Sequence, residues 1–369
     1  MRIFWLFNHP APYKVDFFNC LGENNELTVY FERLSEGGRN ATFYGHAPKT
    51  FHAIYGHPLK LGSFNNLSWK PLSYIKKKEF DVIVLNGWRT FTERIAISYC
   101  KRHHIPYVFA INGGIIRKKE NNISSLIKSS YISGADLYLS PDECSSEYLT
   151  YYGADKARIR LFPYGSVKES ELLDQLYDEK AIAKLRKKLD IPGRRVFVSS
   201  GFFIPRKGFE SLIRLWERMP KEDSLYLIGE GKQKRLYQRL IRELGLTNVF
   251  IRPFMDHANL FRFYRACDAF LFPTKEDIYG HVVTEAMSQG LPVFSSDKAN
   301  ASKRLIKPKI NGSIVDFDNA EEVVLTLCNA DLPSMKQKAI ETAKGYTYEA
   351  SAKAHQELLE EFLKGGAKP

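Results

Sequence analysis

From Ile3 to Val315 the chain alternates short apolar runs with stretches of helical period, and that alternation leaves few architectures open. The apolar runs of the first half are Ile3–Phe7, Leu27–Phe31, Asp81–Leu85, Tyr107–Ile111, Leu137–Leu139 and Ile159–Phe162. Those of the second half are Val196–Ser200, Leu225–Ile228, Val249–Arg252, Ala269–Phe272, Pro292–Ser295 and Ser313–Val315. Helical stretches separate them, among them Trp88–Lys101, Asp142–Tyr152, Glu210–Arg218, Lys232–Leu244, His257–Cys267, His281–Gln289 and Ala320–Asn329. Strands of this kind, each followed by a helix, predict parallel sheets covered on both faces. The pattern breaks near Pro163-Tyr164-Gly165, before a charged helical stretch, Glu179–Leu189, and a new strand. Six strands on either side predict an α/β protein of two doubly wound, Rossmann-like domains facing a cleft. Their expected bounds are 1–165 and 166–345, with the final stretch, 346–369, packing back on the first domain as a helix. Hinge motion is expected at Tyr164–Val167.

No apolar run is long enough for a transmembrane helix, and Ile3–Phe7 is too short for a signal-peptide core. A cytoplasmic protein is expected, with the inner face of the cell membrane as a further possibility. Cys20, Cys100, Cys144, Cys267 and Cys328 include no CxxC pair, which argues against a disulfide framework or a zinc site and for buried, reduced thiols. The formal charge of +12 implies attraction to anions, whether nucleic acid, an anionic membrane or phosphorylated small molecules. Residues 1–170 carry 22 Lys and Arg against 15 Asp and Glu, with basic runs at Lys76–Lys78 and Arg117–Lys119. There is no helix-turn-helix, RNP or zinc-finger pattern, so no nucleic-acid partner is expected. The lack of GxGxxG after the first strand weakens a dinucleotide-dependent dehydrogenase.

Two segments carry most of the chemistry. Phe272 to Pro292 runs from a strand end through a polar loop into a helix near Gly280, which presents backbone N–H groups and a positive dipole end to an anion. Asp277 and Glu285 sit eight residues apart there, placed to grip two parts of one elongated ligand. Taken singly, Asp277 reads equally as a helix cap and Glu285 as a solvated residue of the second helical turn. The other segment, Ser199 to Phe209, follows the second domain's first strand and carries Arg206 and Lys207 in a loop shaped by Pro205, Gly201 and Gly208. Paired cations there suit a diphosphate, and an exposed basic turn is the alternative.

These segments resemble the nucleotide-sugar domain of family-four retaining glycosyltransferases with the GT-B fold, of the bacterial surface-polysaccharide type. Pro205-Arg206-Lys207-Gly208 matches the family's Lys-Gly loop, and Asp277-x7-Glu285-Ala286-Met287 its acid-x7-Glu motif. Gly229-Glu230-Gly231 and Asn311-Gly312 match its layout. The likeness covers residues 194–330 and is only architectural over 1–165. It implies that Arg206 and Lys207 bind the donor diphosphate, that Glu285 binds the ribose and that Asp277 contacts the transferred sugar. The amides around Tyr279, Gly280 and His281 would hold the distal phosphate, and Pro253 and Phe254 would flank the base. There are two departures. Asp277 replaces the usual Glu, and Phe202 stands where an Arg commonly follows the loop's first glycine, with Arg206 as a candidate substitute.

The first domain lacks the histidine that the family often places at a central strand end. Asn112 stands there, read equally as a positioning residue or as part of an Asn-Gly turn. His9, after the first strand, is a catalytic or a structural histidine, and Asn86-Gly87-Trp88 is a third strand-end candidate. Asp316-Phe317-Asp318 spells a DxD but lies just before a late helix, where Asp318 reads as its N-cap, so no metal and no other cofactor is expected. The resemblance thus implies sugar transfer from a nucleotide diphosphate sugar, UDP-sugar favoured, to a hydroxyl with retained configuration by front-face displacement. The acceptor it implies is a lipid-linked or polysaccharide intermediate, with peripheral contact to an anionic membrane. A non-hydrolysing nucleotide-sugar epimerase of the same architecture and a non-enzymatic basic binding protein are the alternatives.

Overall fold

The computed structural model describes residues 1–34, 46–60, 66–117 and 120–366. The chain forms two compact units, one of residues 1–165 with 347–369, the other of 166–346.

The first unit is built on β1 (Arg2–Phe7), β2 (Glu26–Phe31), β3 (His52–Tyr55), the short antiparallel pair β4 (Leu59–Lys60) and β5 (Asn66–Leu67), β6 (Val82–Asn86), β7 (Val108–Ala110), β8 (Leu137–Ser140) and β9 (Ile159–Leu161). All but β4 and β5 form one parallel sheet in the order β3-β2-β1-β6-β7-β8-β9. β1 lies inside it between β2 and β6, with Ile3 opposite both Leu27 and Val82, and five of its six residues are buried. The sheet has seven strands, one more than expected. β3 escapes the apolar count because it is a half-exposed edge. The connecting helices are α1 (Pro12–Gly22), α2 (Lys70–Lys76), α3 (Phe91–Arg102), α4 (Asn122–Ile132) and α5 (Glu143–Tyr151). α1 begins on Pro12, a residue that suits a first helical position but reads as loop beside Pro10. α3 begins at Phe91, not Trp88, because Thr90 and Glu93 close a capping box: Glu93 N donates to Thr90 Oγ1 (3.1 Å) and Thr90 N to Glu93 Oε2 (2.9 Å).

The second unit opens with α6 (Glu179–Leu189), capped by Asp178. Its strands are β10 (Val196–Ser200), β11 (Ser224–Ile228), β12 (Val249–Arg252), β13 (Ala269–Phe272), β14 (Val293–Ser295) and β15 (Gly312–Ile314), parallel in the order β12-β11-β10-β13-β14-β15. Its helices are α7 (Phe209–Leu215), α8 (Lys234–Glu243), α9 (His257–Tyr264), α10 (Val282–Ser288), α11 (Asn300–Leu305), α12 (Ala320–Asn329) and α13 (Leu332–Lys344). One core gathers Phe197, Trp216, Leu227, Leu271 and Phe294 from the sheet and its covering helices. α12 has the bounds expected of it but not the cap. Asp316 Oδ1 accepts from Asp318 N (3.1 Å), turning the chain once more, and Asn319, not Asp318, caps the helix through Glu322 N (3.3 Å).

The last helix, α14 (Tyr348–Lys364), packs on α1 in the first unit. His355 is its wedge, with its ring centroid 4.3 Å from Phe162, 4.7 Å from Phe17 and 5.8 Å from Trp5. Burial holds its pKa down at about 3, so the ring is neutral and donates from Nδ1 to the Ser351 carbonyl (2.8 Å). Of the cysteines, Cys100 and Cys267 are buried and Cys20 and Cys144 partly so, but Cys328 is exposed, against expectation, because it lies at the outward C-terminal end of α12. Among the described residues no helix is long and apolar enough to cross a membrane.

Candidate functional site

A doubly wound sheet leaves a crevice at the carboxyl ends of the two strands where its order reverses. In the second unit those strands are β10 and β13, and the two charged segments follow them. After β10 the chain enters a single turn of 3-10 helix, Pro205–Lys207, ended by Gly208. Gly208 has φ +72°, and a Cβ there would lie 1.9 Å from the Pro273 carbonyl oxygen, so only glycine lets the loops after β10 and β13 meet. Hydrogen bonds then stitch them together. The Arg206 carbonyl accepts from Lys275 N (2.7 Å) and Thr274 Oγ1 (3.2 Å), and Arg206 Nη1 donates to the Glu276 carbonyl (2.9 Å).

Across this seam Lys207 Nζ donates to Asp277 Oδ2 at 2.5 Å, and Arg206 Nη1 lies 4.0 Å from the same oxygen. Asp277 therefore does not cap a helix. Its N–H donates to the Lys298 carbonyl (2.9 Å) and its carboxylate faces the two cations. The Lys207 side chain is 11% exposed, with its ammonium 5.2 Å from the Phe272 ring centroid, whereas Arg206 is 48% exposed. Only Arg206 is thus a surface cation. Two cations sharing one carboxylate leave the cluster with a net positive charge, and the Lys207 ammonium spends one of its three protons on Asp277.

Gly280 turns the chain at φ +100° against Phe272 and Ala299, and α10 starts at Val282. This puts Glu285 in the first turn of α10, not the second. Glu285 is partly buried, and no described residue donates a hydrogen bond to its carboxylate. Burial raises its pKa, the charge of His257 opposes this, that of Glu171 adds to it, and Lys207 opposes it. Sequence reading missed Glu171 and His257, which pair at 3.1 Å with Gln289 Nε2 donating to the Glu171 carbonyl (2.8 Å). No local motif marks either residue. Tyr279 is buried, its ring 5.1 Å from that of His281, and its carbonyl accepts from Ala301 N (2.8 Å). Gly229 and Gly231, both at φ +154°, pack on Gly201 and Phe203 and bring the turn after β11 to the same edge. Pro253 and Phe254 follow the edge strand β12; both are exposed, as is Phe202 after β10.

His9 and Asn112 lie in the first unit, at the ends of β1 and β7 with β6 between them. His9 is buried. Gly113, after Asn112, turns at φ +139°, and the Asn112 Oδ1 is buried without a hydrogen-bond partner among the described residues. Beyond β6, Gly87 lies against Glu93, which shares a buried pocket with Glu32 and Thr90. Burial raises the Glu93 carboxyl to about 7 and raises that of Glu32 as well, reinforced there by the charge of Glu93. Asp316 and Asp318 are exposed, and no group of three metal-ligating side chains occurs among the described residues.

The glycosyl transferases group 1 family matches residues 181–344, the span that holds the Lys207–Asp277 seam and Glu285. Most of the second unit is thus similar to group 1 glycosyltransferases. Over 144 residues the chain is 31% identical to the lipopolysaccharide core biosynthesis glycosyltransferase LpsE of Rhizobium meliloti, covering 38% of this chain and 41% of that one. It is 26% identical over 186 residues to a D-inositol 3-phosphate glycosyltransferase of Xylanimonas cellulosilytica, covering 49% and 44%. The chain thus spans less than half the length of these curated relatives. The structure of HepE from Anabaena in complex with UDP superposes with a TM-score of 0.72 at 17% identity, covering 98% of this chain and all of that one, which shows a shared GT-B fold. The segment similar to that family therefore sits in a fold of two parallel-sheet α/β units, as the alternation of strands and helices predicts.

Proposed function

We propose that this protein is a retaining glycosyltransferase that moves a sugar from a nucleotide diphosphate sugar, UDP-sugar favoured, to a hydroxyl of a lipid-linked or polysaccharide intermediate. The observation that carries the reading is the Arg206–Lys207–Asp277 seam at the switch point of the second unit, with the unpartnered Glu285 beside it. The two free protons of the Lys207 ammonium and the outward guanidinium of Arg206 suit two phosphates, and stabilise charge as it develops on the leaving diphosphate without a metal. Gly280 and the amides of Tyr279 and His281 are assigned to the distal phosphate. Glu285 suits a ribose diol, because a desolvated carboxylate without donors is satisfied by two hydroxyls. Asp277, anchored by Lys207, is assigned to the transferred sugar, Pro253 and Phe254 to the base, and Asn112 and His9 to the reacting centre. Support for a polysaccharide acceptor comes from LpsE, whose name places that relative in lipopolysaccharide core biosynthesis. A lipid-linked acceptor implies work at the inner membrane face.

The test is a thermal-shift screen with UDP, GDP, dTDP and ADP, in which a ligand at 100 times its Kd stabilises by about 2.7 kcal/mol. Product analysis with and without an acceptor follows. Donor interconversion without acceptor would mark an epimerase, and no shift with any nucleotide would remove the donor site.

A further inference from the structure

β12 closes one edge of the second unit's sheet, with β11 as its neighbour on one side only. The ladder fixes which backbone groups that neighbour uses. Asn248 O accepts from Leu225 N (2.9 Å) and Arg252 O from Gly229 N (3.1 Å), so residues 248, 250 and 252 bond to β11. Val249 and Ile251 therefore turn their N–H and C=O groups away from the sheet, and no described residue bonds to them there. Pro253, the next outward position, has no N–H to offer and ends the free stretch. The free edge opens on a trough of about 430 Å³. One wall is α8, through Gln238, Ile241 and Arg242, and the other is the turn after α6, through Asp190 and Pro192.

The trough is basic. On α8, Arg235, Gln238, Arg239 and Arg242 recur at i, i+3, i+4 and i+7, and all four are exposed. Arg239 pairs with Glu243 (3.6 Å), but the Arg242 side chain, on the trough wall, has no ion pair or hydrogen bond among the described residues. The second cation is Arg252. Its guanidinium lies 5.7 Å from the Tyr226 ring centroid and donates from Nη2 to the Asp190 carbonyl (3.0 Å), with the Asp190 carboxylate 4.0 Å away. The two arginines outnumber Asp190, the one acid of the lining. They also flank the edge from opposite faces. Val249 and Ile251 pack into the core that α8 covers, so Arg252, in alternate register, points to the other face beside Tyr226. This charge disfavours a second copy of the chain. Pairing two β12 edges about a twofold axis would set α8 beside its own copy and bring the two arginine stripes together.

We infer that this edge is a docking groove for an extended, acidic segment of a partner protein, which adds a strand to the sheet beside β12. The segment's backbone pairs with the outward groups of Val249 and Ile251, at the usual strand spacing of about 4.8 Å. Successive side chains of a strand point to opposite faces, so two consecutive acids set one carboxylate against Arg242 and the next against Arg252. β11 separates the groove from the β10–β13 switch point. The inference therefore goes beyond the proposed transferase activity and stands without it.

The experiment is fluorescence anisotropy of the full chain with a fluorescein-labelled probe peptide, Thr-Val-Glu-Glu-Val-Thr amide, at low and high salt. The probe should bind saturably at low salt and more weakly at high salt. Replacing both of its glutamates by glutamine should weaken binding by about tenfold or more. N-methylation of the alternate amides along one edge of the probe should abolish binding and along the other edge leave it, because only one edge meets β12. Arg242→Glu, at an exposed side chain, should weaken binding by about tenfold while keeping the cooperative urea transition of the parent. No saturable binding, equal affinity for the glutamate and glutamine probes, or indifference to N-methylation of either edge overturns the inference. A parent dimer that the probe dissociates overturns it in favour of a second copy on the same edge.

Discussion

Replacing Lys207 by alanine tests the proposed donor site most directly. The ammonium is 11% exposed, so water screens it little, and two of its protons are uncommitted. A charge-assisted contact of this kind contributes about 1.5–3 kcal/mol, which at 1.36 kcal/mol per decade is about ten- to a hundredfold in Kd for UDP. Arg206 is 48% exposed and already donates to the Glu276 carbonyl, so Arg206→Ala should cost less, about two- to fivefold. Lys207→Ala also strips Asp277 of its partner while its carboxylate is only 19% exposed, which should destabilise the unit by about 1–3 kcal/mol. Lys207→Ala with Asp277→Asn should restore most of that stability without restoring UDP affinity. Titration calorimetry with UDP and with uridine, paired with urea unfolding, separates the two effects. Equal loss of affinity for uridine and UDP, or a larger loss from Arg206→Ala than from Lys207→Ala, would refute the assignment.

Three further outcomes are expected. The pKa of Glu285 is raised by folding, so its stabilising share is present below the ordinary glutamate range and is lost as pH rises through the folded pKa; Glu285→Gln should therefore melt above the parent at pH 7 and level with it near pH 4, and a pH-independent difference would contradict this. Gly208→Ala forces a β-carbon to 1.9 Å from the Pro273 oxygen at positive φ and should lower stability by at least about 2 kcal/mol together with UDP binding, read from the urea midpoint. Transfer activity should persist in excess EDTA, because Arg206 and Lys207 supply the positive charge at the proposed diphosphate site; abolition with rescue by manganese would reverse that reading.

The legible parts of this molecule were those written in local pattern. Every apolar run counted as a strand is one, and the central ones, such as β1, β6 and β10, are buried on both faces. The edge strand β3 was missed because half-exposed His52–Tyr55 has no such signature, and α1 because Pro12 reads as a breaker until its place at a helix start is known. In the site, the spacing of Asp277 and Glu285 pointed to one ligand. It said nothing of the Lys207–Asp277 bond, since that contact depends on the strand order placing β10 beside β13. The same limit hid the Glu171–His257 pair, which joins residues far apart in sequence.

The position of α14 sets an order of events during synthesis. The first unit begins with β1 yet is closed by the helix that puts His355 against Trp5, Phe17 and Phe162. Between them the ribosome must translate the whole of residues 166–346, which at about 5–20 residues per second takes roughly 10–40 s. Through that interval the second unit is being made, while the aromatic side of β1 and α1 waits without its cover. A chain released before Tyr348 should therefore keep the whole second unit and carry an aggregation-prone first.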